Sequence, residues 1–377
     1  MKKFILFLST VALLLFSFAV PVTASGVQAD EHGELTEKYI EQITDNLDRE
    51  SKEILTSFGL DELSSEELMK LSVSDIFKSI TDIFYISIKD QLYSFFRMLG
   101  MLIVMIIANS IRNSRQQLSA QVTDVFSMLC IIMIASSINS CISGMANAFS
   151  LTGKLLYSYT PVLTVFLSIS GNVTSSILYN STVVAVSQVL SAVSENIIIP
   201  FICVYFALIT ALSLNETVNT DKITSSINKA VITLVSVMTM IFTVLISGKN
   251  ILAKEIDGIA YTSGRYFISN FIPVIGPSVS SILSSIIGSL SLVKSTVAIV
   301  AILCATAINL PIIAKLFANY LSLHIIGIIA DSFGEKRAGS IFAGFSSGIR
   351  ILMIIVIFEL VMVIIATGLV LTIKGGI

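Results

Sequence analysis

The 377-residue sequence predicts an all-α, polytopic integral membrane bundle preceded by a small helical module. Three observations carry that expectation. Apolar residues make up 54% of the chain, the mean hydropathy is +0.90, and charged residues are 13%, against roughly 25% in soluble domains. A cytosolic enzyme and a disordered tail are excluded on that balance. A nucleic-acid partner is excluded too, because the net charge is −2 and no basic patch forms a footprint.

The first segment, 1–24, has the layout of a secretory signal. Lys2 and Lys3 form a basic start, Phe4 to Val20 an apolar run, and Val22-Thr23-Ala24 a small-residue cleavage site after Pro21. An uncleaved anchor is the other reading, since the run approaches spanning length. Under either one, Ser25 onward lies outside the cytoplasm.

Residues 25–90 form an acidic module. They hold sixteen acidic against six basic residues, a net of −10, whereas 91–377 carries nine acids and fifteen bases, a net of +6. Leu35, Tyr39, Ile40, Ile43, Leu47 and Ile54 recur at helical steps and give one apolar stripe. Gly59 suits a helix C-cap, and Ser64 to Glu67 reads as a capping box. From Ser74 an amphipathic segment with Ile76, Phe77, Ile80, Ile83 and Phe84 leads unbroken into the first span. The module is either a helical pair resting on the membrane or a docking site for an extracytoplasmic partner.

The membrane domain, 91–377, contains apolar segments near 92–110, 123–146, 155–172, 176–194, 197–214, 230–248, 266–291, 293–310, 312–330 and 349–373. These are about eight to ten apolar segments; several are marginal, and 266–291 and 312–330 either span or re-enter. Their Ser, Thr, Asn and Gly content lets helices approach closely and bond across the contact, so one bundle is expected. Arg112 and Arg115, and the loop 331–350 with Lys336, Arg337 and Arg350, belong on the cytoplasmic side by the positive-inside rule. The loop with Lys249, Lys254 and Arg265 runs against that rule.

Two stretches about 110 residues apart align. Pro161-Val162 matches Pro273-Val274, Ser175 to Leu178 matches Ser280 to Leu283, and Pro200 matches Pro311. Either 155–248 and 266–373 are repeat units, as in many transport folds, or a Ser/Ile/Val/Leu-rich composition has matched itself.

Few residues carry chemistry. Pro273, Gly276 and Pro277 should break or kink their helix, either to line a cavity or to start a helix near the surface. Glu359 lies near the middle of Ile351–Leu371 and needs a partner, with Lys294, Lys315 and His324 as candidates. It reads either as a proton or ion relay or as a helix-locking carboxyl. His324, alone in an apolar run, is a packing histidine or a ligand. Cys130, Cys141, Cys203 and Cys304 sit in apolar stretches without metal or redox spacing and read as packing residues. No metal, cofactor or catalytic constellation is expected, so the chain is not read as an enzyme.

The order of signal, acidic helical segment and multi-span body resembles the stage III sporulation protein AE family. The likeness is most specific in Gly264-Arg-Tyr-Phe-Ile-Ser-Asn-Phe-Ile-Pro-Val-Ile-Gly276, continuing to Leu292-Val-Lys-Ser-Thr-Val297. That resemblance implies a multi-pass subunit of a secretion-like channel complex in the mother-cell membrane facing the forespore, needed for forespore development. It implies other membrane proteins of that complex and the lipid bilayer as partners, and an acidic module projecting between two membranes. It supplies no catalytic residues. Association of several copies stays open, as does a different class of function: a stand-alone secondary transporter using the broken helix near Pro273 and Glu359.

Overall fold

Helices with polar turns between them build the whole described protein, which is seen here in a computed structural model. The structure describes residues 40–57 (except 42 and 46), 73–112, 119–213 and 276–372, with a few single positions between 225 and 237. The signal, Gly59, the Ser64 capping box, Arg115, Pro273 and the 249–265 loop lie outside the described residues. No strand occurs among the described residues.

Helix α1, Arg49–Ser57, is capped at both ends by side chains. Asp48 accepts from the Ser51 amide at 3.0 Å, satisfying one of the amides that a helix start leaves free. The Ser79 hydroxyl donates to the Ser57 carbonyl at 2.6 Å and so ties α1 to the next helix. Ile40, Ile43, Leu47 and Ile54, the stripe read from the sequence, are buried in the common core. Helix α2, Val73–Arg112, runs unbroken from the amphipathic segment through the first apolar one.

The apolar segments merge further than their composition suggested. Helix α3, Ser119–Ile169, contains both 123–146 and most of 155–172. Helices α4, Val173–Val193, and α5, Ile199–Ser213, are joined by a π turn, Ser194–Ile198, into one continuous rod. Pro200 explains that turn: its ring cannot donate to the carbonyl four residues back and crowds it, and a widened turn makes room. Helix α6, Gly276–Ser332, takes in the described parts of 266–291, 293–310 and 312–330 without reversing. Neighbouring apolar segments thus share one helix, with Pro161 and Pro311 inside helices and not at their ends. Helix α7, Lys336–Thr372, closes the chain.

Two turns are built alike. After α3, the Asn172 amide reaches the Leu167 carbonyl and the Gly171 amide that of Ser168. After α6, Glu335 reaches Ala330 and Gly334 reaches Asp331. Both are the paired-bond helix stop that requires a left-handed residue, and glycine supplies it, with φ of 85° at Gly171 and 83° at Gly334. Asn172 and Glu335 then accept the first amides of the following helices, Ser176 and Gly339.

Cross-helix contacts fix the directions. Ser140 meets Lys315 and Thr152 meets Asn309, so α3 and α6 are antiparallel. Thr152 faces Glu359 and Tyr159 faces Thr367, so α3 and α7 are parallel. Phe206 stacks on Phe345 while Ile209 abuts Gly344, so α5 opposes α7. The end of α2, the starts of α3 and α7, and the ends of α5 and α6 consequently share one side of the bundle.

Four helices among the described residues hold stretches long and apolar enough to cross a membrane: Lys78–Ile107, Ser127–Ile169, Thr296–Ser332 and Lys336–Gly368. They are not equivalent. The apolar window of α6 is 89% buried inside the protein and that of α7 78%, against 17% for α2 and 28% for α3. The α6–α7 hairpin is the shielded centre, and α2 and α3 are its outer wall.

Candidate functional site

Two asparagines on α6, ten residues apart, organise the polar interior. Each donates its side-chain amide to the carbonyl four residues back, Asn309 to Ala305 at 2.9 Å and Asn319 to Lys315 at 3.0 Å. This leaves the remaining amide capacity and the carbonyl oxygen free to reach neighbouring helices.

Asn319 is saturated. Its Oδ1 accepts from Gln91 Nε2 of α2 at 2.7 Å and from the Ser137 hydroxyl of α3. Three helices are locked at that point, with Lys315 Nζ donating to Ser140 Oγ at 2.9 Å one turn away.

Asn309 is not. Its Nδ2 donates to Thr152 Oγ1 at 3.0 Å, and Thr152 is the hydrogen-bond partner of Glu359. All three side chains are buried, Asn309 and Thr152 at 0% exposure and Glu359 at 2%. Asn309 Oδ1 and Glu359 Oε2 nevertheless have no hydrogen-bond partner among the described residues. One helical repeat further along the α3–α7 seam, Tyr159 and Thr367 share a 2.6 Å hydroxyl contact beside buried Tyr179.

The residues singled out in the sequence are placed as follows. Glu359 faces the bundle interior. Lys315 is engaged with Ser140 instead of Glu359, and His324 is exposed, its ring stacked on Tyr320 with centroids 5.5 Å apart. The side chain of Lys294 lies outside the described ones. Gly276 and Pro277 open α6, where a proline in the first turn loses no helical bond. Cys130, Cys141 and Cys304 are buried packing residues, and Cys203 is exposed. No grouping of His, Cys, Asp and Glu able to hold a metal occurs among the described residues. Sequence reasoning missed Thr152, Asn309 and Asn319. The available signal was an amide side chain inside an apolar helix, which must find a partner across an interface.

The family model of stage III sporulation protein AE matches residues 58–374. The chain belongs to that family. Within the family, a relative described as "Stage III sporulation protein AE" from Bacillus subtilis (strain 168) is 24% identical over 362 residues, covering 90% of this chain and 88% of that protein. No solved structure matches. Stage III sporulation protein AE chains are sporulation proteins by family, and the spanning helices described above make this one a membrane protein.

Proposed function

We propose that this protein is a multi-pass subunit of a sporulation channel, a secretion-like conduit from the mother-cell membrane towards the forespore. In this reading the acidic module stands on the extracytoplasmic side and other membrane proteins of the complex complete the wall.

The observation that supports it is a polar stripe on the outer face of α3. Ser136, Ser140, Ser143, Asn147, Ser150 and Lys154 follow one another at three- and four-residue steps, and all are exposed, with Ser140 at the inner edge, where it accepts from Lys315 of α6. They lie within the Ser127–Ile169 spanning stretch. Serine hydroxyls can bond back to their own helix, as Ser158 does to Lys154. Lys154 lacks that escape: translocon scales put a lysine at mid-helix at about 2.5–3.5 kcal/mol against lipid. A face of this kind suits a water-filled path or a neighbouring subunit better than hydrocarbon.

Single cysteines at 136, 140, 143, 147, 150 and 154, probed in sporulating cells with a small charged thiol reagent, are expected to label on this face. Neighbouring Ile132 and Val165, exposed but apolar, are expected to stay protected by lipid when replaced in the same way. Uniform protection of the stripe together with solute uptake by the purified protein in vesicles would favour the transporter reading, to which the buried Glu359 lends its support.

A further inference from the structure

The outer faces of α2 and α3 change character at the same level. Gln91 of α2 and Ser137 of α3 meet at Asn319, and the two helices run past that point in opposite directions. Towards the Arg112 end, α2 exposes Ile103, Val104 and Ile107, and α3 exposes Met128, Leu129 and Ile132. Beyond Asn319 the exposed residues of α2 include Lys78, Asp82, Lys89 and Asp90, beside Tyr85 and Ile86, while α3 presents the polar stripe that ends at Lys154. At the border Arg97 lies over the Tyr93 ring, 4.6 Å from its centroid, a pair suited to a membrane–water interface. The first hydrocarbon layer ends there.

Helix α3 continues far past it. Its 51 residues measure about 76 Å, against roughly 30 Å of hydrocarbon. After Lys154, residues 155–194 contain no charged residue or histidine, and they fold into the α3–α4 hairpin. Near its turn the hairpin exposes Val165, Ile169, Val173 and Ile177, the last at 63%. The polar groups of the turn are closed on themselves: the Ser170 hydroxyl donates to the Phe166 carbonyl, that of Ser168 to Ser176, and that of Ser176 to the Thr164 carbonyl. The α6–α7 turn has the same backbone bonds but exposes Asp331, Ser332 and Lys336 beside Phe333. One turn suits water. The other suits hydrocarbon, where polar groups must be satisfied inside the protein.

The stretch from exposed Tyr157 to Ile169 is about 18 Å long, close to one leaflet of roughly 15 Å and too short to cross. We propose that the α3–α4 turn is a lipid-inserting tip that enters the near leaflet of a second bilayer, opposite the one that holds α2 and the start of α3. It rests on the channel reading, since the stripe from Ser136 to Lys154, about 27 Å long, must be wet for the two apolar ends to lie in different bilayers.

The full chain, with Cys203→Ser removing the exposed native thiol, is reconstituted in phospholipid nanodiscs and mixed with vesicles of phosphatidylethanolamine and phosphatidylglycerol. Ile177→Cys carries a bimane probe at the tip, and Met128→Cys carries one in the first apolar band. Nitroxide-labelled lipid is placed either in the discs or in the vesicles. Vesicle nitroxide should quench the tip probe about twofold or more and spare the probe at 128, and disc nitroxide should do the reverse. Adding Ile169→Asp, which puts a charge on the exposed side of the turn, should cut vesicle quenching about tenfold at an unchanged melting temperature. Tip quenching by disc lipid overturns the second bilayer, because the hairpin then re-enters its own. A tip quenched by neither lipid overturns the lipid contact altogether. Neither result moves the thiol labelling of the stripe, which tests the channel reading by itself.

Discussion

Glycine 348 shows how closely α5 and α7 approach. A Cβ there would meet Phe206 Cζ at 2.6 Å and Tyr205 Cε1 at 2.7 Å. Neither ring can yield easily, because Phe206 is stacked on Phe345 at 5.7 Å and the Tyr205 hydroxyl donates to the Gly344 carbonyl at 3.2 Å. Gly348→Ala should therefore destabilise the protein by about 1–3 kcal/mol through overpacking. Gly100, on the outer face of α2, has nothing within 4 Å of the same added atom. There alanine should be neutral or stabilising by up to ~1 kcal/mol, its helix-propensity advantage. Thermal melts of the two variants in one detergent check the contrast. At this scale the sequence was legible only in part. It exposed Glu359 as a lone acid in an apolar run, because charge is visible without a fold. It could not reveal that Thr152 meets both that acid and Asn309, since the 157 residues between Thr152 and Asn309 are bridged by helix directions that no local pattern encodes.

Among the elements, the α6–α7 hairpin depends on a single left-handed residue. Gly334 has φ of 83° and open space around its α-carbon, so a substitution meets backbone strain and nothing else. Gly334→Ala should lower stability by roughly 1–2 kcal/mol, with Gly334→Asn costing less because asparagine tolerates that region. Denaturant-dependent unfolding of both variants measures the difference. The joining of neighbouring apolar segments into single helices was not legible, because proline at 161, 200 and 311 looks like punctuation in a hydropathy profile. In the structure each of the three is carried inside a continuous rod. Helical character itself was plain from composition and periodicity, and the buried stripe at Ile40, Ile43, Leu47 and Ile54 followed the spacing.

Across the whole molecule, the helix directions bring the end of α2, the start of α3 and the α6–α7 turn to one side. Arg112 terminates α2 there, and Lys336 and Arg337 begin α7. By the positive-inside rule that side is expected to face the cytoplasm. A cysteine at Ser332 in intact cells should thus resist an impermeant thiol reagent and react only after permeabilisation. Labelling in intact cells would invert the whole arrangement, including the acidic module. Fold class was legible at this scale from hydropathy alone. Which helix sits at the centre was not, because α6 and α3 both read as long apolar stretches and only packing separates an interior rod from a peripheral one.

That central rod is made late. By the time the ribosome reaches Gly276, α1 to α5 have already been synthesised, yet Gln91, Ser137 and Thr152 still lack the side chains on α6 that complete them. The nascent chain must wait in the membrane with those groups unmatched for the time it takes to translate the last quarter of the message. A nonsense mutation at the start of that last quarter would leave more than a shortened protein: the wall would be built and the pillar missing, a natural target for membrane quality-control proteases.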